Sequence, residues 1–165
     1  MNYENEILNL FKNGYLTTKD VNDNNIPRFY LTKLIKENKI ERVSRGIYIK
    51  KNELVDEFVV LQSKSKYAIY SNMTALYLHG FSNRIPIKYD ITVKSGYKGS
   101  LQINDNVNLF YTKKELLNLG VINYKLDSGN VIRVYDLDKT ICDIIKNKKK
   151  LDSELFNKAI REYFY

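Results

Sequence analysis

The sequence predicts an α+β fold in two parts. Residues 1–52 show three short helical patterns followed by two strand patterns, whereas residues 53–165 alternate between longer period-two strand patterns and amphipathic helices. The shift in pattern near residue 52 marks the expected domain boundary. Of the 165 residues, 44% are apolar and 28% are charged, which is the balance of a chain that buries a core.

The composition excludes several protein classes. No apolar run approaches the ~20 residues that cross a bilayer, and the start of the chain lacks the basic and apolar regions of a secretory signal. The single cysteine, Cys142, cannot close an internal disulfide, and the single histidine, His79, cannot build a His-rich metal site. We therefore expect a cytoplasmic protein without a cofactor or a bound metal.

The charge balance allows a polyanionic partner. Lys and Arg number 27 against 19 Asp and Glu, which gives a net charge of +8 and a pI near 9.3. Such a charge suits DNA, RNA or an anionic membrane. However, abundant Lys, Asn, Ile and Tyr are also typical of an AT-rich coding sequence, so the net charge by itself favours nucleic acid only weakly.

Three short helices are predicted in the first part. Apolar residues at helical spacing indicate a first helix over 4–12. Thr17 and Asp20 have the spacing of a capping box and start a second helix. Pro27 suits the first turn of a third helix, which runs to about Glu37.

A β-hairpin follows the third helix. Strands are predicted at 39–43 and 46–49, with the turn at Ser44-Arg45-Gly46. Gly46 permits the turn, and Arg45 projects from it toward a DNA backbone or minor groove, unless it is simply solvated. Three short helices and a hairpin, in this order, predict an N-terminal winged helix-turn-helix.

The third helix has two distinct faces. At 100° per residue, Leu31, Leu34 and Ile35 share a core-facing side. Arg28 stands at the flank, and the opposite side carries Phe29, Thr32, Lys33 and Lys36. A recognition helix reads base edges and phosphates with such an outward face. Phe29 would contact a thymine methyl or pack on the hairpin.

Positive charge is concentrated in the third helix and hairpin. Residues 27–51 hold eight basic and two acidic residues, a net +6, although an ordinary solvated lysine face is the alternative. The partner predicted for this segment is double-stranded DNA. The residues predicted to contact it are Thr17, Arg28, Phe29, Thr32, Lys33, Lys36, Arg42, Ser44 and Arg45.

The second part is predicted to be a mixed α+β domain. Ser71 is placed to cap a helix that ends near His79, and Asp127-Ser128-Gly129-Asn130 is a strong hairpin turn. Strands are predicted at 87–93, 107–111, 122–126 and 131–135, and helices at 53–62, 71–79, 113–119, 138–146 and 152–163.

Three carboxylates in the second part invite a catalytic interpretation. Asp136, Asp138 and Asp143 could hold Mg²⁺ for nucleotidyl transfer. No Gly-rich phosphate-holding turn precedes them, and Asp138 stands where a helix cap belongs. We therefore expect all three to be structural, so that the protein is not an enzyme.

Other candidate motifs have simpler interpretations. Gly96-Tyr97-Lys98-Gly99 matches an RNA-clamping G-x-x-G loop but follows a strand, which favours a strand turn. His79 and Cys142 could form a nucleophile pair, but their apolar neighbours predict that both pack. The basic run 146–150 is typical of a solvated helix end, with a second DNA-backbone contact as the alternative.

Several segments resemble a known protein family. The stretches 16–21, 31–37 and 40–48 resemble the winged-helix domain of AbiEi-family antitoxins. Further along, Ser71-x-x-Thr74-Ala75-Leu76-x-Leu78-His79-Gly80 and Asp136-x-Asp138-Lys139-Thr140-x-x-Asp143 resemble the family's C-terminal antitoxin domain. Two departures are Asn25-Ile26-Pro27, where the family usually has Ser or Asn with Gly, and the end at Tyr165, beyond which members often continue; this apolar end suggests a missing final helix or a short member.

The resemblance implies an antitoxin of a type IV, abortive-infection toxin–antitoxin pair that acts in phage defence. Its winged helix would bind inverted repeats in operator DNA and repress its own operon. Its second domain would counter a nucleotidyltransferase toxin without a stable complex. The residues alone support only a DNA-binding module with an α+β domain, for which a nucleotidyltransferase-like enzyme and a ligand-sensing regulator are the alternatives.

Overall fold

Residues 2–12 and 14–165 are described by the computed structural model, and the chain divides into two units, Met1–Val60 and Leu61–Tyr165. The fold class is mixed α and β in both units. The predicted boundary after residue 52 precedes this division by eight residues. Among the described residues, no helix has the length and apolar character needed to span a bilayer.

The first unit holds a three-stranded antiparallel sheet with the order β1-β3-β2. The predicted helices and hairpin are present, and α1 ends three residues earlier than expected. Strand β1, which pairs with β3, was not predicted, because three residues are too few to show a period-two pattern. The elements are α1 (Tyr3–Asn9), β1 (Tyr15–Thr17), α2 (Thr18–Asp23), α3 (Phe29–Lys36), β2 (Ile40–Ser44) and β3 (Ile47–Lys50).

Local sequence signals account for the helices of the first unit. The predicted capping box is confirmed: Asp20 N–H donates to Thr17 Oγ1 over 3.2 Å, and Thr17 N–H donates to Asp20 Oδ2 over 2.8 Å. The apolar side chains of the helices then meet in one cluster with the sheet. Its buried members are Ile7, Leu16, Val21, Ile26, Leu31, Leu34 and Ile40.

The second unit is organised around a five-stranded mixed sheet with the order β6-β5-β4-β8-β7. The pairs β5–β6 and β4–β8 are parallel, and the other two pairs are antiparallel. Its strands are β4 (Ile69–Tyr70), β5 (Tyr89–Lys94), β6 (Val107–Thr112), β7 (Val121–Lys125) and β8 (Val131–Tyr135).

Helices and short 3-10 turns complete the chain. The helix expected at 113–119 is only a 3-10 turn, Lys114–Leu116. Buried apolar residues of α5, α6 and α7 pack together, including Leu76, Ile144 and Phe156. The helices are α4 (Glu57–Ser63), α5 (Asn72–Leu78), α6 (Leu137–Asn147) and α7 (Ser153–Phe164), with further 3-10 turns at Ser100–Ile103 and Lys148–Lys150.

The predicted cap at Asp138 is wrong. The helix starts one residue earlier, at Leu137, so that the carboxylate at Asp136 accepts the N–H of Lys139 over 2.8 Å. Asp136 has the extended backbone that an N-cap position needs, whereas Asp138 is already inside the first turn. The cap therefore belongs to Asp136.

The N-terminus of α5 also differs from expectation. Ser71 occupies the N-cap position, but its side chain makes no capping bond. Asp90, from β5, accepts the N–H of Met73 over 3.0 Å instead. Burial raises the pKa of the Asp90 carboxyl group, although hydrogen bonds from Asn108 and Met73 oppose that shift. A carboxylate distant in sequence thus replaces the local cap.

His79 and Cys142 have different environments. His79 Nε2 lies 2.8 Å from the Tyr135 carbonyl oxygen, and its ring is nearly perpendicular to that of Tyr124, with the ring centroids 6.0 Å apart. The expectation that Cys142 packs is wrong, because its side chain is exposed on α6. It follows the buried Ile141 by one residue, which turns it about 100° away from the helix's packed face.

Candidate nucleic-acid interface

A hydrogen bond fixes the turn of the β2–β3 hairpin against the start of α2. The N–H of Thr18 donates to the carbonyl oxygen of Gly46 over 2.8 Å. Gly46 has a φ of +74°, and a Cβ atom there would lie 3.1 Å from Thr18 Oγ1. The left-handed backbone and the close approach both favour glycine. Arg45, which precedes it, is exposed at the turn.

A groove lies between α3 and the hairpin. It encloses about 640 Å³. Apolar groups of Leu31, Ile35 and Tyr48 line it beside three arginines, Arg28, Arg42 and Arg45. Thr18, Thr32 and Gly46 complete its lining. We call it the arginine groove.

Two of the three arginines are oriented by neighbouring polar groups. Arg28 Nε donates to Asn22 Oδ1 over 2.9 Å. Arg42 Nε donates to the Ser44 carbonyl oxygen over 3.2 Å, at the point where the β2–β3 register shifts. Neither partner is a carboxylate, so these hydrogen bonds orient the two guanidinium groups without placing a counter-charge beside them.

The exposed side of α3 carries a polar stripe. Arg28, Thr32 and Lys36 are all exposed and lie four residues apart, which aligns them along one side of the helix. Phe29 stands next to this stripe, with 69% of its side chain exposed and its ring 5.7 Å from that of Tyr30. The expectation that Phe29 faces outward is confirmed.

Lys33 is directed toward α1 rather than away from the protein. Its ammonium group forms an ion pair with Glu4 and lies 3.9 Å from Glu37. Lys39 joins the same cluster, 2.8 Å from Glu37 and 3.2 Å from Glu4. Hydrogen bonds from Lys33 and Lys39 lower the pKa of Glu4, and the bond to Glu4 raises the pKa of Lys33. Among the described residues, Lys33 is thus the one side chain of the predicted outward face of α3 that forms ion pairs with carboxylates.

Further intramolecular ion pairs reduce the number of basic side chains in 27–51 that are free to bind DNA. Lys51 pairs with Glu41 over 2.8 Å, and Lys50 lies 3.9 Å from Glu53. Of the eight basic residues in 27–51, half therefore have a carboxylate partner within the described residues. The four basic residues without a carboxylate partner are Arg28, Lys36, Arg42 and Arg45.

The arrangement brings some of the predicted residues together and separates others. Arg28, Thr32, Arg42 and Arg45 line the arginine groove. Thr17 uses its hydroxyl in the capping box, and Ser44 is half-buried at the register shift. Thr18 and Tyr48 line the groove but were not predicted. Successive side chains of a strand point to opposite faces, so Tyr48 lies on the other face of β3 from the buried Ile47 and Ile49. This alternation was the sequence signal that could have predicted the position of Tyr48.

The three carboxylates of the second unit have three different partners. Asp136 caps α6, Asp143 pairs with Lys139, and Asp138 accepts a 2.6 Å hydrogen bond from the Tyr163 hydroxyl. That bond is the main cause of the raised pKa of Tyr163. Within residues 2–12 and 14–165, no group of three or more His, Cys, Asp or Glu side chains converges to hold a metal ion.

Comparison with known proteins finds a family similar to part of the first unit. Residues 5–49 match the model of a family described as "Transcriptional regulator, AbiEi antitoxin". The matched region extends from α1 into β3 and contains the arginine groove and the polar stripe of α3. No curated protein matches the chain. The match confirms the family resemblance of the segments 16–21, 31–37 and 40–48.

Proposed function

Because residues 5–49 match the AbiEi antitoxin family of transcriptional regulators, we propose that residues 1–52 act as a winged helix-turn-helix that binds double-stranded operator DNA. The main support is a set of four cations that have no carboxylate partner among the described residues. Arg28, Arg42 and Arg45 line the arginine groove, and Lys36 is exposed on the polar stripe of α3. Such cations are available to phosphates without first breaking an intramolecular ion pair.

The geometry suggests a division of tasks within the interface. The stripe Arg28–Thr32–Lys36 would enter the major groove, as the outward face of a recognition helix does. Arg42 and Arg45, on the hairpin that serves as the wing, would contact the neighbouring backbone or minor groove. Two copies on an inverted repeat would repress the chain's own operon in the cytoplasm, where that DNA lies.

The second unit is proposed to carry the antitoxin activity. By the family resemblance, it would counter a nucleotidyltransferase toxin without a stable complex. This division assigns DNA binding to the first domain, 1–52, and protection from the toxin to the second, 53–165.

The enzyme alternative would need Asp136, Asp138 and Asp143 to bind one metal. Their separate bonds to the Lys139 N–H, the Tyr163 hydroxyl and the Lys139 ammonium group favour structural roles. A rise in melting temperature that requires both Mg²⁺ and a nucleotide, and that Asp136→Asn abolishes, would support the enzyme instead.

Fluorescence anisotropy with labelled DNA tests the proposal. The chain should bind DNA from upstream of its own gene more tightly than random duplex of equal length. Thr32→Ala should cost about 1–3 kcal/mol on the specific site only, whereas Lys36→Ala should weaken both duplexes alike. Equal affinity of the unsubstituted chain for the two duplexes would contradict the proposal. So would equal losses of affinity for the two variants, because the outward side of α3 would then not distinguish between DNA sequences.

A further inference from the structure

A cleft in the second unit combines a basic wall with an apolar wall. It lies where β6 and the 3-10 turn Lys114–Leu116 face α6, and it has a volume of about 420 Å³. Its basic wall consists of Lys139, Lys146 and Lys150, with Asp143 beside Lys139 in the same lining, and its apolar wall includes Phe110, Tyr111, Leu116 and Leu119. We call it the lysine cleft.

Two of the three lysines form no ion pair with any of the described residues. Lys139 forms an ion pair with Asp143 and lies 4.8 Å from the ring centroid of Tyr135. Lys146 and Lys150 have no carboxylate partner among residues 2–12 and 14–165. Lys146 lies in the last turn of α6 and Lys150 in the 3-10 turn that follows it, so both line the same cleft near the end of that helix. The carbonyl end of α6 contributes only about half a negative charge, so two full positive charges outweigh it.

The opposite wall leaves apolar surface in contact with water. Leu119 is 63% exposed, and about half of Tyr111 and of Leu116 is exposed. Singly exposed apolar side chains are common, but these three line one concavity beside two unpaired cations. A molecule that covers the wall would remove this surface from water while it neutralises the lysines.

Buried polar contacts hold the basic wall in place. Asn147, at the end of α6, donates through Nδ2 to Asn72 Oδ1 over 3.1 Å. Asn72 is fully buried, has a φ of +45°, and donates to Ser71 Oγ. The Thr92 hydroxyl, which also lines the cleft, donates to the same Ser71 oxygen over 2.8 Å. The cleft is therefore preformed by a hydrogen-bonded support, as ligand sites usually are.

We propose that the lysine cleft binds an aromatic phosphate monoester. The phosphate would lie between the ammonium groups of Lys146 and Lys150, and the ring would cover Tyr111, Leu116 and Leu119. The volume of 420 Å³ is within the range of small-molecule sites. The binding site is separate in sequence from the arginine groove, so a failure of DNA binding would leave this proposal standing.

Calorimetric titration of the full chain provides the first test. The probe is 1-naphthyl phosphate. The comparison compounds are 1-naphthol, which keeps only the aromatic ring, and inorganic phosphate, which keeps only the charged group. The phosphate ester should bind more tightly than either. Lys146→Gln combined with Lys150→Gln should weaken binding at least about tenfold, because two charge-assisted hydrogen bonds are lost.

A matched variant controls for net charge. Lys88→Gln combined with Lys125→Gln removes the same charge from exposed lysines that do not line the cleft and lie on other strands and loops. It should leave the affinity for 1-naphthyl phosphate within about twofold, since salt screens exposed charges that do not contact the ligand. Equal losses in the two double variants would overturn the proposal, as would the absence of binding to the unsubstituted chain.

Cys142 supplies an independent measurement. It is the chain's only cysteine, it is exposed, and it lines the lysine cleft. Bound 1-naphthyl phosphate should slow its alkylation by iodoacetamide in proportion to occupancy, and binding without this protection would place the ligand elsewhere and overturn the assignment. Adenosine 5′-monophosphate in the same assay distinguishes nucleotides from other aromatic phosphates. If it protects Cys142, nucleotides are ligands of the cleft. If only the naphthyl ester protects Cys142, the natural ligand is a different aromatic phosphate.

Discussion

The N–H of Thr18 and the carbonyl oxygen of Gly46 join α2 to the hairpin turn through a 2.8 Å hydrogen bond. The two residues are far apart in the sequence, yet this bond fixes the turn that carries Arg45 beside the arginine groove. The position of one proposed DNA-binding side chain therefore depends on a contact between backbones.

Gly46→Ala should lower the free energy of unfolding by about 1–2 kcal/mol from backbone strain alone, since its φ is +74°. The added Cβ atom at 3.1 Å from Thr18 Oγ1 should increase this loss and weaken DNA binding. Urea denaturation measures the first effect and anisotropy the second. Gly14→Ala is the matched control, because Gly14 has a φ of +81° but nothing within 4 Å of the new atom; an equal loss there would rule out the Thr18 contact.

The salt dependence of DNA binding should report the number of free cations. If Arg28, Lys36, Arg42 and Arg45 each neutralise one phosphate, the slope of log K against log salt should be roughly −3.6. Arg45→Ala should reduce its magnitude by about 1. Lys51→Ala should change it less, because Lys51 already pairs with Glu41. A slope near zero would exclude an electrostatic interface.

Glu4→Gln should increase affinity for DNA of any sequence. The substitution removes one of the two carboxylates that hold Lys33 and Lys39, and Glu37 remains 2.8 Å from Lys39 and 3.9 Å from Lys33. Lys33 therefore becomes the more available of the two to phosphates, and the net positive charge of this surface rises by one. The slope against salt should steepen accordingly. Glu6→Gln is a suitable control, because Glu6 is an exposed residue on the same helix. An unchanged or weaker affinity for the Glu4 variant would show that Lys33 and Lys39 lie outside the interface.

The same carboxylate predicts a pH effect on stability. The lysines lower the pKa of Glu4 below its ordinary value of 4.5. Its contribution is thus fully present above the unfolded pKa and is lost as the pH falls through the lower, folded pKa. The stability difference between the unsubstituted chain and Glu4→Gln should therefore shrink in acid. A difference that stays constant down to pH 2 would contradict the ion-pair assignment.

Asp136→Ala should lower the free energy of unfolding by about 0.5–2 kcal/mol, because it removes the N-cap of α6. Asp138→Ala should cost less, since its only bond in the described structure is to the exposed Tyr163 hydroxyl. Chemical denaturation of both variants checks the order. If Asp138→Ala proves the more destabilising, the cap assignment is wrong.

Repression and protection from the toxin should separate. A chain with Arg28, Lys36 and Arg45 all changed to Ala should lose repression but still protect cells, because these residues lie in the first unit. A promoter-reporter assay and a growth assay, with the toxin expressed from an independent promoter, measure the two activities. Loss of both in a folded variant would show that protection requires nucleic-acid binding.

Local signals in the sequence determined much of the secondary structure. The capping box of Thr17 and Asp20, the hairpin turn at residues 127–130 and the buried side of α3 at Leu31 and Leu34 were all predicted. Each depends on interactions between residues at most four apart, or on a periodicity that one element imposes. Such features can be read before the tertiary fold is known.

Tertiary packing decided which charged groups remain available. Glu4 lies 29 residues from Lys33, and only the packing of α1 on α3 brings the two together. The sequence therefore overstated the free positive charge of residues 27–51. The cap of α5 by Asp90, the strand order of the larger sheet and the two walls of the lysine cleft are likewise contacts between distant segments. Periodicity within one element cannot encode them, because they depend on how separate elements pack.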